Sequence, residues 1–205
     1  MIRPALFLTL FFALILTAPP ALAADLACGP GYGAPVAITP QEPITPLPPY
    51  GERLCLSYRV AFPAGFDFGP GGKLPVAFGG EAPEGCGDGQ PEGFTLGLVW
   101  KRGGAGQVRL HDMDEGGRCG QSIGQGKWTF LAGVPIRVGQ EFVLNTPDAG
   151  DGEYRLWIDG RKVVERFALH FRRTPATRLD GIKFPPLPPG VTISDIALWT
   201  KIASP

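Results

Sequence analysis

The sequence has no excess of either charge and is short of several reactive residue types. Its 205 residues include 19 Lys plus Arg against 19 Asp plus Glu, with only two histidines and four cysteines. Because there is no basic excess, we expect no nucleic acid among its partners and no anionic membrane surface. The Cys-x-x-Cys pairs typical of zinc sites are absent, so a zinc site is not favoured.

Only one long apolar run occurs, and it lies at the N-terminus. The charged start Met1-Ile2-Arg3 precedes an apolar stretch at 5–16 and an Ala-Leu-Ala sequence that ends at Ala23. This pattern predicts a signal peptide over residues 1–23, because the run is shorter than the roughly 18 residues that span a bilayer. We therefore expect a secreted protein, periplasmic or extracellular, with no membrane contact after cleavage near Ala23.

Helix-forming runs are also scarce, whereas glycine and proline are plentiful, at 30 and 23 residues. Short apolar stretches between turn residues predict an all-β fold, an antiparallel β-sandwich or jelly roll with a concave groove. Residues 24–50 predict a Pro-rich leader or linker largely without strand pairing, and residues 51–205 predict the β domain. The predicted strands cover 54–62, 74–78, 94–100, 107–112, 127–131, 136–145, 153–158, 161–171, 179–184 and 191–201.

A glycine-rich connection divides residues 94–112 into two stretches of period-two alternation, which predict a β-hairpin. The apolar set should face the core, because each large side chain gains roughly 1.5–3 kcal/mol by leaving water. The other face then carries Thr95, Gly97, Lys101, Arg109 and His111. An odd connection of three or five residues keeps each face together, and with five we predict Gly97 opposite His111 and Val99 opposite Arg109. We interpret the polar face as a binding face.

The same alternation predicts further groove residues on two later strands. Glu141 and Asn145 alternate with apolar residues on one strand, and Arg155 and Trp157 do so on another. We expect Asn145, Arg155 and Trp157 to lie beside the polar face of the hairpin.

The four cysteines predict two structural disulfides in an exported protein. Cys86 precedes the hairpin by about as much as Cys119 follows it, so the two should converge. The predicted bridges are therefore Cys86–Cys119 and Cys28–Cys55. We expect no cofactor, with calcium at Asp112, Asp114 and Glu115 as an alternative to an acidic turn that is simply solvated.

Several motifs occur in a fixed order along the chain. They include Tyr-Arg-Val-Ala-Phe-Pro at 58–63, Phe-Asp-Phe at 66–68, Gly-Gly-Lys-Leu-Pro at 71–75 and Leu-Asn-Thr-Pro at 144–147. Over residues 54–164 the chain resembles the polysaccharide lyase family 14 domain. The resemblance implies a β-jelly roll in a secreted enzyme that cleaves uronate-containing polysaccharides such as alginate by β-elimination. We accordingly expect an acidic polysaccharide as the partner and a monomeric protein.

The resemblance also implies groove positions. The family's lysine in Gly-Gly-Lys-Leu-Pro is Lys73 in this chain. The family's Ser-x-Arg falls on Thr95 and Gly97, and its Tyr-x-Tyr falls on Arg109 and His111, so only the lysine is unchanged.

β-Elimination at a uronate requires a cation at the carboxylate, a base for the C5 proton and an acid for the leaving O4. Arg109 is suited to the carboxylate and His111 to the base, with Lys73 assisting either step. The expected substrate-binding residues are Thr95, Lys101, Asn145, Arg155 and Trp157. The alternative is a non-catalytic protein that binds acidic polysaccharide on the same scaffold.

Overall fold

The computed structural model describes Cys28 and residues 31–41, 43–47, 51–86, 92–115 and 119–200. The predicted signal peptide and the cleavage position near Ala23 lie outside these residues. No helix in the described ranges is long and apolar enough to cross a membrane.

Two six-stranded antiparallel sheets make up the described part of the chain. Sheet I has the order β1 (Val36–Ala37), β12 (Thr192–Thr200), β3 (Arg53–Ala61), β8 (Ile136–Val143), β9 (Gly152–Ile158) and β10 (Arg161–Leu169). Sheet II has the order β2 (Ile44–Pro46), β11 (Gly181–Lys183), β4 (Gly72–Gly80), β5 (Gly93–Trp100), β6 (Gly106–His111) and β7 (Gln121–Ile123). The only helical segments in the described ranges are two 3₁₀ turns, Arg102–Gly104 and Met113–Glu115. The predicted all-β sandwich is confirmed.

The core lies between the sheets and is built by alternation along each strand. On β5, Phe94, Leu96 and Leu98 are all 0% exposed, and the facing strands of sheet I contribute a similar set that includes Leu56 and Leu156. Successive side chains of a strand point to opposite faces, so one face of each sheet is committed to the core and the other is left for contacts outside it. The predicted inward set of the hairpin is confirmed.

Two predicted features of the strand pattern differ from the structure. Residues 127–131 form no strand and make a single bridge, Ala105 with Thr129. Trp128 and Phe130 still point into the core from this irregular segment, which explains the alternation. The segment expected to be largely unpaired instead supplies β1 and β2, one strand at an edge of each sheet.

Both predicted disulfides are present. Cys28 is bonded to Cys55 on β3, and Cys86 is bonded to Cys119. All four cysteines are thereby used, so a zinc site on them is excluded. Two bridges fit a protein of an oxidising compartment, such as an extracellular one.

Candidate active site

A cavity of about 370 Å³ opens on the outer face of sheet II. The hairpin strands β5 and β6 form its floor with β4, and three more distant segments form its walls. The floor residues are Lys73, Val76, Thr95, Gly97, Val99, Arg109 and His111, and the wall residues are Pro43, Ile44, Glu84, Gly85, Lys183, Phe184 and Pro185. The structure therefore brings together Lys73, Thr95, Arg109 and His111, which the sequence analysis selected.

The hairpin register sets the pairs on the cavity floor. Thr95 lies opposite His111 and Gly97 opposite Arg109. The predicted pairing of Gly97 with His111 was wrong. The Lys101 amide donates to the Ala105 carbonyl at 2.8 Å, so the five-residue connection between the strands begins one residue earlier in the chain than that pairing requires. The pairing partner shifts by an even number of residues, so every side chain keeps its predicted face.

His111 is 7% exposed at the base of the cavity. Burial lowers the pKa of its imidazole, and the positive charge of Arg109 lowers it further. With its pKa lowered, the imidazole is neutral at neutral pH. The chain also passes close to the ring at Gly120, where an added Cβ would lie 2.7 Å from His111 Nε2.

Arg109 is fixed by neutral partners from the neighbouring segment. Its guanidinium donates to Ser122 Oγ at 3.0 Å and to the carbonyl of Cys119. Ser122 is also its pairing partner on β7. Because a hydroxyl and a carbonyl carry no net charge, the positive charge of Arg109 is not neutralised by these two bonds, and it remains suited to a ligand carboxylate.

Thr95 is covered by residues 81–86, which we call the wall loop. Its hydroxyl donates to the Pro83 carbonyl at 2.6 Å, and its residue is 2% exposed. The polar face of the hairpin is therefore the floor of a walled cavity.

Lys183 and Glu84 are cavity residues that the sequence analysis missed. Lys183 Nζ lies 2.6 Å from Glu84 Oε1 and 5.3 Å from the centre of the Phe78 ring. The hydrogen bond from Lys183 lowers the pKa of Glu84. Parity would have found Lys183, since it follows the buried Ile182 on a predicted strand. Nothing in the sequence indicated that the loop carrying Glu84 would fold over β5.

The polysaccharide lyase 14 family model matches residues 48–187. The chain belongs to this family. No curated protein matches the chain at a significant level.

Solved structures of lyases share the fold. The alginate lyase Aly36B, solved as a double mutant in complex with alginate tetrasaccharide, is 23% identical, covers 74% of this chain and 70% of its own, and has a TM-score of 0.61. The marine PL-14 alginate lyase from Aplysia kurodai is 26% identical, with 73% and 67% covered and a TM-score of 0.51. An endo-β-1,4-glucuronan lyase from Trichoderma reesei is 16% identical, with 74% and 70% covered and a TM-score of 0.54.

Four residues that we expected at the site of this family 14 chain do not line the cavity. Lys101 is exposed where β5 ends, whereas Asn145, Arg155 and Trp157 belong to the sheet I side of the domain. Alternation fixes the face of a strand but does not say to which sheet the strand belongs, so the shared polar face was inferred wrongly.

The three residues on the sheet I side have other partners. Asn145 is 0% exposed and accepts from the amides of Phe171 at 2.8 Å and Arg172 at 3.0 Å. Arg155 forms ion pairs with three carboxylates, Glu141 at 2.7 Å, Glu153 at 2.6 Å and Glu165 at 2.7 Å. Trp157 packs beside the Cys28–Cys55 bridge and Trp199.

The acidic turn after β6 does not assemble a metal site. Among the described residues, no three His, Cys, Asp or Glu side chains are grouped as metal ligands. Asp112 is 4% exposed, and Asp114 lies 3.3 Å from His170 Nδ1. The calcium alternative therefore gains no ligand set from these residues.

Proposed function

We propose that the protein is a polysaccharide lyase that cleaves a uronate-containing polysaccharide by β-elimination in the cavity of sheet II. The observation that carries the proposal is that Arg109, His111 and Lys73 line one cavity on the outer face of that sheet. Family membership supports it, and so does the acidic substrate named for similar folds, an alginate and a glucuronan.

Arg109 is the group that receives the uronate carboxylate. Its planar guanidinium can donate two parallel hydrogen bonds to the two carboxylate oxygens. Neutralising that carboxylate makes the C5 proton more acidic, because the negative charge that develops on proton removal spreads onto the same oxygens. Lys73 adds a second positive charge to the cavity floor.

His111 is the base. A lowered pKa leaves the ring unprotonated at neutral pH and able to accept the C5 proton. The C5–H electron pair forms the C4=C5 double bond as the C4–O4 bond breaks, and the proton passes from His111 to O4. Lys73 assists by donating a hydrogen bond to the departing oxygen. The reaction consumes no water and yields one unsaturated uronate end.

The test is incubation of the protein with alginate and with polyglucuronate, followed by the ultraviolet absorbance of unsaturated ends. We expect His111→Ala to lower turnover about 100-fold or more, since the proton acceptor is lost. Arg109→Ala should lower it comparably, because it removes charge stabilisation. Lys101→Ala is the control and should turn over at the unchanged rate, since Lys101 is exposed outside the cavity.

A second candidate function is binding of acidic polysaccharide without cleavage. It is favoured by Thr95, because the Thr95 hydroxyl donates its hydrogen bond to the Pro83 carbonyl and not to a ligand in the cavity. Affinity for either polymer that is lost in Arg109→Ala, with no unsaturated product in the parent protein, would assign this function in place of the lyase.

A further inference from the structure

Glu84 places a negative charge in a cavity whose other charged residues are all basic. It stands on the wall loop and lines the same cavity as Lys73, Arg109 and Lys183. Lys183 lowers the pKa of Glu84 by its hydrogen bond and its charge, and the charge of Lys73 acts in the same direction, against an opposing effect of burial. At neutral pH the free protein therefore presents a carboxylate of its own to the cations of the site.

The ion pair between Glu84 and Lys183 is easily exchanged. The Glu84 side chain is 49% exposed and that of Lys183 is 25% exposed. Half-exposed pairs contribute little to stability because water solvates both charges. The wall loop has separate attachments, the Thr95 hydroxyl on Pro83 and the Cys86–Cys119 bridge. The Glu84 side chain can therefore turn out into water while the loop stays in place.

Lys183 is held in position without Glu84 as well. Its ammonium lies 5.3 Å from the centre of the Phe78 ring, within the range of a cation–π contact, and 3.4 Å from the Ala82 carbonyl. It stands on β11, a strand that pairs on both sides. An incoming carboxylate would therefore meet an ordered cation.

We propose that Lys183 is a carboxylate-binding residue of the site and that Glu84 is its built-in competitor, which an acidic polysaccharide displaces on binding. The inference rests on the proposed substrate class and adds a specificity device to it. A polyuronate replaces the lost Glu84 contact with one of its own carboxylates. A neutral glycan cannot do so, and it would leave the internal ion pair closed.

The experiment measures the Kd of a saturated tetra-uronate by calorimetry, in a His111→Ala background that prevents cleavage. We expect Glu84→Gln to tighten binding roughly tenfold, since one repelling charge is removed at close range. Lys183→Met should weaken binding, and the gain from Glu84→Gln should shrink when both changes are combined. Glu165→Gln is the matched control, because Glu165 is a similarly exposed ion-paired carboxylate on sheet I and its loss should leave the Kd unchanged. A neutral cello-tetraose serves as the ligand control, and thermal melting checks that each variant is folded.

The outcomes distinguish a failure of the competitor role from a failure of the proposed function. If Glu84→Gln matches Glu165→Gln while Arg109→Ala still weakens binding, the competitor role is overturned and the proposed substrate class stands. If only proteins carrying Glu84→Gln bind the tetra-uronate, the competitor role is supported in its strongest form. If no variant binds it, both proposals fail.

Discussion

Gly120 is the residue that allows Arg109 and His111 to occupy the same corner of the cavity. Its backbone has φ 80°, and an added Cβ would lie 2.7 Å from His111 Nε2 and 3.0 Å from Arg109 Nε. Gly126 has a similar φ of 73° but open space around the position of a Cβ. The two glycines therefore share a backbone requirement, and only one of them is pressed against the proposed catalytic side chains.

We expect Gly126→Ala to lower the free energy of unfolding by about 1–2 kcal/mol, because it places a side chain in the left-handed region. Gly120→Ala should lower it by at least as much, because its methyl group also meets His111 and Arg109. Only Gly120→Ala should also lower kcat/KM for polyuronate, since its methyl group displaces the imidazole and the guanidinium. Urea denaturation and initial rates measure the two effects. Equal losses of activity in both variants would show that Gly120 acts through stability alone.

At the level of single residues, alternation carried the sequence analysis a long way. Lys73, Thr95, Arg109 and His111 reach one cavity because side chains of the same parity on paired strands share a face. The pairing partners of Arg109 and His111 were each predicted two residues away from the true position, since the turn closes through a backbone hydrogen bond that the composition of the connection does not specify.

The two disulfides connect different parts of the domain, one on sheet I and one beside the cavity. Cys28–Cys55 joins the N-terminal segment to β3 on sheet I, and neither cysteine lines the cavity. Cys86–Cys119 joins the end of the wall loop to the segment that holds Arg109. The sequence separations are 27 and 33 residues, so the two bridges restrict the unfolded chain to a similar degree.

Removing either bridge by paired Cys→Ser changes should therefore lower the free energy of unfolding by about 3–4 kcal/mol. We expect the Cys86→Ser/Cys119→Ser protein to lose turnover as well. The bridge anchors both the wall loop and residue 119, whose carbonyl accepts a hydrogen bond from Arg109. The Cys28→Ser/Cys55→Ser protein is the matched comparison and should retain kcat/KM where it remains folded. Chemical denaturation and product absorbance would be measured side by side; retained turnover in the first protein would contradict a positioning role for its bridge.

The sheet to which a strand belongs was harder to predict than the buried face of that strand. Asn145, Arg155 and Trp157 lie on strands or strand ends whose parity was read correctly, yet those strands belong to sheet I. Which strands become neighbours depends on contacts between distant parts of the chain, and alternation within one strand carries no information about them. Residues 127–131 were predicted as a strand but form none. Trp128 and Phe130 alternate because both pack into the core, although the segment makes only one isolated bridge.

On the scale of the whole molecule, the N-terminal segment supplies one edge strand of each sheet. β1 pairs with β12 on sheet I, and β2 pairs with β11 on sheet II. The family match begins at residue 48, downstream of both strands. A chain that began at Gly51 would leave β11 and β12 as bare edges, and unpaired strand edges are templates for pairing with other chains.

We expect a protein that starts at Gly51 to be less stable than one that starts at Ala24 and to associate at high concentration. The comparison uses Cys55→Ser in the short protein and Cys28→Ser/Cys55→Ser in the long one, so that neither contains the first bridge or an unpaired thiol. Light scattering after size exclusion gives the mass, and urea denaturation gives the stability. Equal masses and equal midpoints would show that the two edge strands contribute little to the fold.

The pairing of the cysteines has a consequence for how the protein matures. In chain order the first cysteine bonds the second and the third bonds the fourth. As the N-terminus leads during synthesis, the first thiol meets the second before any other has emerged. Once these two are bonded, the third thiol has only the fourth as a partner. Oxidation in order of appearance thus yields the native bridges, with no need for an isomerase to reshuffle them.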